Sequence, residues 1–153
     1  MSARTNLQEF LRRKARPARG PQVNWDERRE LWLKDIDSLY GKIKTWLKPS
    51  VVEGTVSFLV RPTSITEEYV GTYEVNNLHI LVGKQKISFY PKGTLVFGAQ
   101  GRVDVVGQKR TRTLIVNKQK WYTVTTPHAA HVKVEFSPFT GESFRRLMEE
   151  VME

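Results

Sequence analysis

Trp32, Ile36, Leu39, Ile43 and Trp46 recur at alternating steps of four and three through a stretch otherwise rich in charge. That is the period of one helix face, and Tyr40 and Leu47 widen the stripe. The spacing predicts a helix over residues 25–47. Asn24 stands at its cap with Glu27 three residues on, the spacing of a capping box. Asp26, Glu27 and Glu30 crowd the first turns and Lys42, Lys44 and Lys48 the last, an order that complements the helix dipole. Pro49 is expected to end the helix. Two tryptophans in the stripe suit packing on a sheet better than a coiled-coil seam.

From residue 51 to residue 136 the hydrophobic period shortens to two, which predicts antiparallel strands. Val52 to Val60 reads as a first strand stopped by Pro62, and Tyr69, Gly71, Tyr73 and Val75 share one face of a second. Asn76-Asn77 is a hairpin signal leading to Leu78, Ile80 and Val82, and Gly83-Lys84 is another, leading to Ile87 and Phe89. Pro91 to Gly93 is expected to turn toward a strand at Thr94–Phe97, and Gly98 to Gly101 toward Val103 and Val105. Gly107 to Arg112 then connects to Leu114–Val116, and Asn117 to Lys120 connects to Trp121–Thr125. A last strand carries Val132, Val134 and Phe136. Phe144, Leu147, Met148 and Val151 form an apolar stripe over 141–152, with Thr140 as cap and Phe139 placed to staple onto Phe144. The expected fold is α+β: a bent antiparallel sheet or partly open β-roll or barrel of about eight short strands. A long N-terminal amphipathic helix and a C-terminal helix pack on it. Residues 25–153 form one domain in this reading, with the sheet over 51–136, and residues 1–24 a basic flexible tail or docking arm.

Charge sharpens that division. The chain of 153 residues carries a net +9, but residues 1–24 hold +5, residues 25–83 hold −2, residues 84–133 hold +9 and residues 134–153 hold −3. Asp104 is the single acid among ten bases in residues 84–133. A one-sign field of this kind concentrates anions, so nucleic acid or an acidic protein surface is the expected partner. There is no cysteine, which excludes disulfides, thiolate nucleophiles and thiolate-ligated zinc and fits a reducing, cytoplasmic setting. No apolar stretch approaches membrane-spanning length, and the N-terminus lacks the apolar core of a secretory signal.

Several strings have the residue types that chemistry needs. His128 and His131 are spaced three apart, and with Asp104 they would be the ligands of a metal-assisted hydrolase, but the second histidine opens a strand and no helical face presents the pair. Gly98-Ala-Gln-Gly101 with Arg102 could bring backbone close to a phosphate. It runs from strand to strand, however, so a hairpin whose glycines supply positive φ is the expected structure. Arg102 and Asp104, two apart on one face, are placed to neutralise each other. Neither a cofactor motif nor a nucleophile setting is present, and the expected role is non-enzymatic.

Basic residues interleaved with tyrosine make the stronger pattern. Lys86 and Tyr90 share strand parity, as do Lys118, Lys120 and Tyr122, and Lys109, Arg110 and Arg112 lie between these strands. With Arg102 and the tail residues Arg12, Arg13, Lys14, Arg16 and Arg19 they form the expected anion- or nucleic-acid-binding set, in which cations track a backbone and tyrosines stack on bases. The alternative is an interaction subunit whose tail docks a partner through Leu7, Phe10 and Leu11, with the arginines as a polar rim. Over residues 51–153 the order of strands followed by one closing helix is similar to that of pleckstrin-homology-like domains. That resemblance implies a binding role for basic loops and carries no individual residue across.

Overall fold

A computed structural model describes residues 7–11, 23–94, 99–125 and 135–152 of the chain. A long helix α1 (Trp25–Val52) leads into seven strands, β1 (Val56–Glu67), β2 (Gly71–Val82), β3 (Gln85–Gly93), β4 (Gly101–Val106), β5 (Thr111–Asn117), β6 (Lys120–Thr125) and β7 (Glu135–Pro138). Helix α2 (Gly141–Met152) closes the chain. The strands form one open antiparallel sheet in chain order, with β1 and β7 at its edges.

α1 starts where the sequence places it, with the Glu27 N–H donating to Asn24 Oδ1 at 3.0 Å. Its end is a correction. Pro49 lies inside the helix, because a proline's fixed φ is itself helical and its cost is confined to one missing N–H and one crowded carbonyl. The helix stops at Gly54, whose φ of +83° a side chain would resist. Thr55 N–H donates to Ser50 O at 2.9 Å and Gly54 N–H to Val51 O at 3.0 Å, the paired bonds of a Schellman motif. Its 28 residues therefore extend about 42 Å.

Three further punctuation signals are overruled, and the described residues form seven strands. Pro62 sits within β1 opposite Asn76, tolerated because alternate N–H groups of an edge strand point away from the sheet. Asn76-Asn77 is not a turn: β2 runs straight through it, and the turn falls at residues 68–70, with Tyr69 at φ +68° and Gly71 at +87°. The Tyr40 hydroxyl of α1 donates to Asn76 O at 2.6 Å and holds the strand there. Burial changes parity at this point, from Leu78 and Ile80 to Val75 and Tyr73, as strand twist along a twelve-residue arm rotates its faces. The turn expected at Pro91 to Gly93 is instead a bulge within β3. The strand expected at Thr94–Phe97, and Val132 and Val134 of the last one, fall wholly or largely outside the described residues.

The core lies between one sheet face and the two helices. Trp32, Ile36, Leu39 and Ile43 of α1 are buried with Leu78, Ile80, Phe89, Val103, Leu114 and Trp121. Phe144, Leu147 and Val151 of α2 join them. Thr140 caps α2: its hydroxyl accepts from Ser143 N–H at 3.3 Å while the Ser143 hydroxyl accepts from Thr140 N–H at 2.6 Å, a capping box with serine in the third position. Phe139 packs edge-on against Phe144 with ring centroids 6.0 Å apart, the expected staple. Trp46 meets both rings, at 5.5 and 5.3 Å, and ties the two helices together.

The β5–β6 hairpin turns on Lys118 and Gln119, which both carry positive φ, +50° and +66°. A left-handed conformation costs a non-glycine residue about 1–2 kcal/mol. Gln119→Gly is therefore expected to raise stability by about 1 kcal/mol, read as a higher urea midpoint at unchanged slope. A lower midpoint would contradict it.

Candidate functional site

Alternation assigns the two faces of the sheet. Phe89, Val103, Val105, Leu114, Val116 and Trp121 point to the helices. The Trp121 indole N–H donates to Asp35 O of α1 at 3.1 Å, and Gly101 lies so close to Trp32 that a Cβ there would meet the indole ring at 2.1 Å. Gly101 is thus glycine for close packing and does not sit at positive φ, which corrects that part of the reading, while the string does stand between the antiparallel neighbours β3 and β4 as expected. The intervening residues face away from the helices.

On that second face Tyr90 stands opposite Asp104, Asp104 opposite Thr113 and Thr113 opposite Val124. In the adjacent row Arg102 stands opposite Ile115, and Ile115 opposite Tyr122. Tyr90 and Tyr122 therefore share the face, both half-buried, on strands three apart in the order and so about 14 Å across the sheet. Lys86 and Lys120 have the same parity, and both are exposed. The structure adds two cations outside the expected set. Arg61 of β1 is exposed and, with Lys86, acts on His79. Lys92, at the β3 bulge, carries its ammonium over the Tyr90 ring at 5.7 Å from the centroid. Arg61 was hidden by the strand end expected at Pro62, whereas Lys92 shares with Lys86 and Tyr90 a strand parity that the sequence itself shows.

Within this field the polar groups are organised. The Arg102 guanidinium donates to both oxygens of Asp104, at 2.8 and 3.3 Å, so the acid of residues 84–133 orients a cation on the face. His79 Nδ1 and Ser88 Oγ share a hydrogen bond of 2.7 Å, both side chains being buried. Burial lowers the His79 pKa and the cations of Lys86 and Arg61 lower it further, which keeps the imidazole neutral near pH 7. The Tyr90 ring meets the His79 ring edge-on at 5.9 Å.

Other expected residues lie elsewhere. Arg112 has the parity of Leu114 and pairs with Glu150 of α2, Nε to Oε2 at 2.8 Å. Lys109 and Arg110 belong to the β4–β5 connection, which docks on α2 through Lys109 N–H and Val151 O at 3.2 Å. Lys118 lines a cavity of about 470 Å³ with Arg28, Trp32 and Gln100 at the start of α1. Arg12, Arg13, Lys14, Arg16 and Arg19 lie outside the described residues, as do His128 and His131. Residues 7–11 are helical, with Leu7, Phe10 and Leu11 exposed at 56, 46 and 54%.

A polar cluster with no sequence signature stands at the tip of the β1–β2 hairpin. Glu67 accepts from Tyr73 OH, from Thr94 N–H at 2.6 Å and from Thr94 Oγ1 at 3.1 Å, and Arg28 donates to Thr94 O at 2.6 Å. Burial and the Glu67 carboxylate raise the Tyr73 pKa. With so many internal donors spent on one carboxylate, this cluster anchors the end of β3 to the hairpin. Among the described residues no group of three or more histidine or carboxylate side chains is placed to hold a metal, and no helix is long and apolar enough to cross a membrane. The chain matches no protein-family model, no curated protein and no solved structure.

Proposed function

We propose that this protein is a non-enzymatic accessory module that binds single-stranded nucleic acid on the sheet face turned away from its helices. The observation that carries the reading is the gathering of Arg61, Lys86, Lys92, Arg102 and Lys120 around Tyr90 and Tyr122, with Asp104 already paired to Arg102. Cations on neighbouring strands suit a phosphate backbone crossing the sheet, and half-buried tyrosine rings offer flat surfaces to unstacked bases. A duplex keeps its bases stacked and would use only the charge, so single strands are the preferred form. The tail cations add a second, sequence-independent hold.

The charge assignments separate the two faces. Lys86→Ala and Arg102→Ala are each expected to weaken binding and to lower the slope of log affinity against log salt by roughly one. Arg102→Ala has the larger effect, since it also leaves the Asp104 carboxylate unpaired on the binding face. Arg112→Ala is expected to leave affinity unchanged, because Arg112 belongs to the opposite face and to Glu150. Fluorescence anisotropy with a labelled single strand reads all three. An Arg112 effect equal to that of Arg102 would reduce the account to net charge.

A further inference from the structure

Asp35 stands on the buried side of α1, among the apolar residues of its stripe, where packing alone has no use for a charge. The residue is 8% exposed. Its main-chain oxygen accepts from Trp121, but among the described residues its carboxylate has no hydrogen-bond or ion-pair partner. Burial alone raises the Asp35 pKa, with no neighbouring cation to hold it down. A carboxylate kept from water without a partner is costly. A cationic donor arriving from outside removes that cost.

Such a donor has room to arrive. Asp35 and Trp32 are the buried residues lining the cavity of about 470 Å³ at the start of α1, a size that small-molecule sites have. Leu31 and Trp32 give it apolar walls, and Glu27 and Lys118 are exposed at its rim. Glu27, Leu31 and Asp35 recur at steps of four on one side of the helix, about 12 Å from first to last. Carboxylates at the two ends with an apolar residue between them suit an aliphatic stem that carries a cation at each end. Lys118 is fixed in its turn, where its N–H donates to Gln100 Oε1 at 2.7 Å. Neither the Glu27 carboxylate nor the Lys118 ammonium has an ion-pair partner among the described residues. Arg28, the other cation of the lining, is spent on Thr94 O at 2.6 Å and on the Trp25 ring. The free ammonium of Lys118 calls for an anion on the ligand, beside the amine that Glu27 takes. Two cationic groups, an aliphatic stem and one carboxylate describe a basic amino acid.

We propose that this cavity binds a free basic amino acid, arginine or lysine. Its side-chain cation meets Asp35, its methylenes lie against Leu31 and Trp32, its α-amine meets Glu27 and its α-carboxylate meets Lys118. The site shares no residue with the nucleic-acid face and does not depend on it. The test is isothermal titration calorimetry of the full chain with L-arginine and L-lysine. Two analogues accompany them: L-norleucine, which keeps the stem and both α groups without the cationic head, and agmatine, which lacks the carboxylate. At least one of the two amino acids is expected to bind with a Kd of about 1 mM or tighter, and both analogues about tenfold more weakly or worse. Asp35→Asn keeps the shape of the side chain and is expected to weaken binding by about tenfold or more. Lys118→Gly is expected to weaken it by about threefold or more. Lys118 is exposed and at positive φ, where glycine is at ease, so this variant reads the contact even if Asp35→Asn is unstable. No binding of either amino acid up to about 10 mM overturns the proposal. So does an analogue that binds as tightly as the better amino acid, or an affinity unchanged in either variant when that variant is folded by circular dichroism.

Discussion

Trp32→Ala is expected to cost about 3–5 kcal/mol of unfolding stability, the largest effect of any single truncation in this fold. The indole is 1% exposed, lies against the backbone of β4 at Gly101 and meets the Trp121 ring at a centroid distance of 6.1 Å. It couples the first half of α1 to the centre of the sheet. Removing it opens a cavity bounded by strand backbone, which cannot collapse to fill the space. The converse change, Gly101→Ala, forces a methyl group into the ring and is expected to cost about 1–3 kcal/mol. Because the two residues touch, their effects are not additive: Trp32→Leu with Gly101→Ala is expected to cost less than the two changes summed. Urea unfolding with an unchanged slope reads these differences. A Trp32→Ala cost below about 1 kcal/mol would show that α1 is not held at this point.

Tyr90→Ala and Tyr122→Ala are expected to weaken single-strand binding by roughly 5- to 150-fold each, the range of about 1–3 kcal/mol per stacked base. Each phenylalanine variant keeps the ring and is expected to stay near wild type, which separates stacking from hydrogen bonding by the hydroxyl. Tyr90 is expected to be the more sensitive of the two, since its ring also receives Lys92 and packs against His79. Thermal unfolding of each variant guards against a fold defect. Full affinity in both alanine variants would leave only charge in the interface.

The helix stripes, the helix starts and most strand positions could be read from the sequence because they rest on local periodicity and capping chemistry. Ser143 in the third position of α2 serves as its capping partner just as a glutamine would. What could not be read were the places where a distant contact outweighed a local signal. Pro49 and Asn76-Asn77 are both strong breakers, yet the Gly54 motif ends the helix and Tyr40 holds β2 straight. Pro62 needed knowledge that β1 is an edge strand, which depends on the whole sheet order. The candidate face was legible in part: parity placed Lys86 with Tyr90, and Lys120 with Tyr122. Registry across four strands was needed to bring those pairs to one face and to send Arg112 to the other. The Glu67 cluster was invisible because its partners lie on β2, the end of β3 and α1, far apart in the chain.

The central claim is that phosphates are held by cations on the open sheet face and by the tail. It is tested most directly by titrating full-length protein into a labelled single-stranded oligonucleotide at ~50 and ~200 mM salt. Five face cations acting on a single strand give a slope of about −3.5, and hence a loss of affinity of about a hundredfold between those concentrations. Tail contacts would only steepen it. No binding at the lower concentration, or an affinity that salt leaves unchanged, would contradict the account.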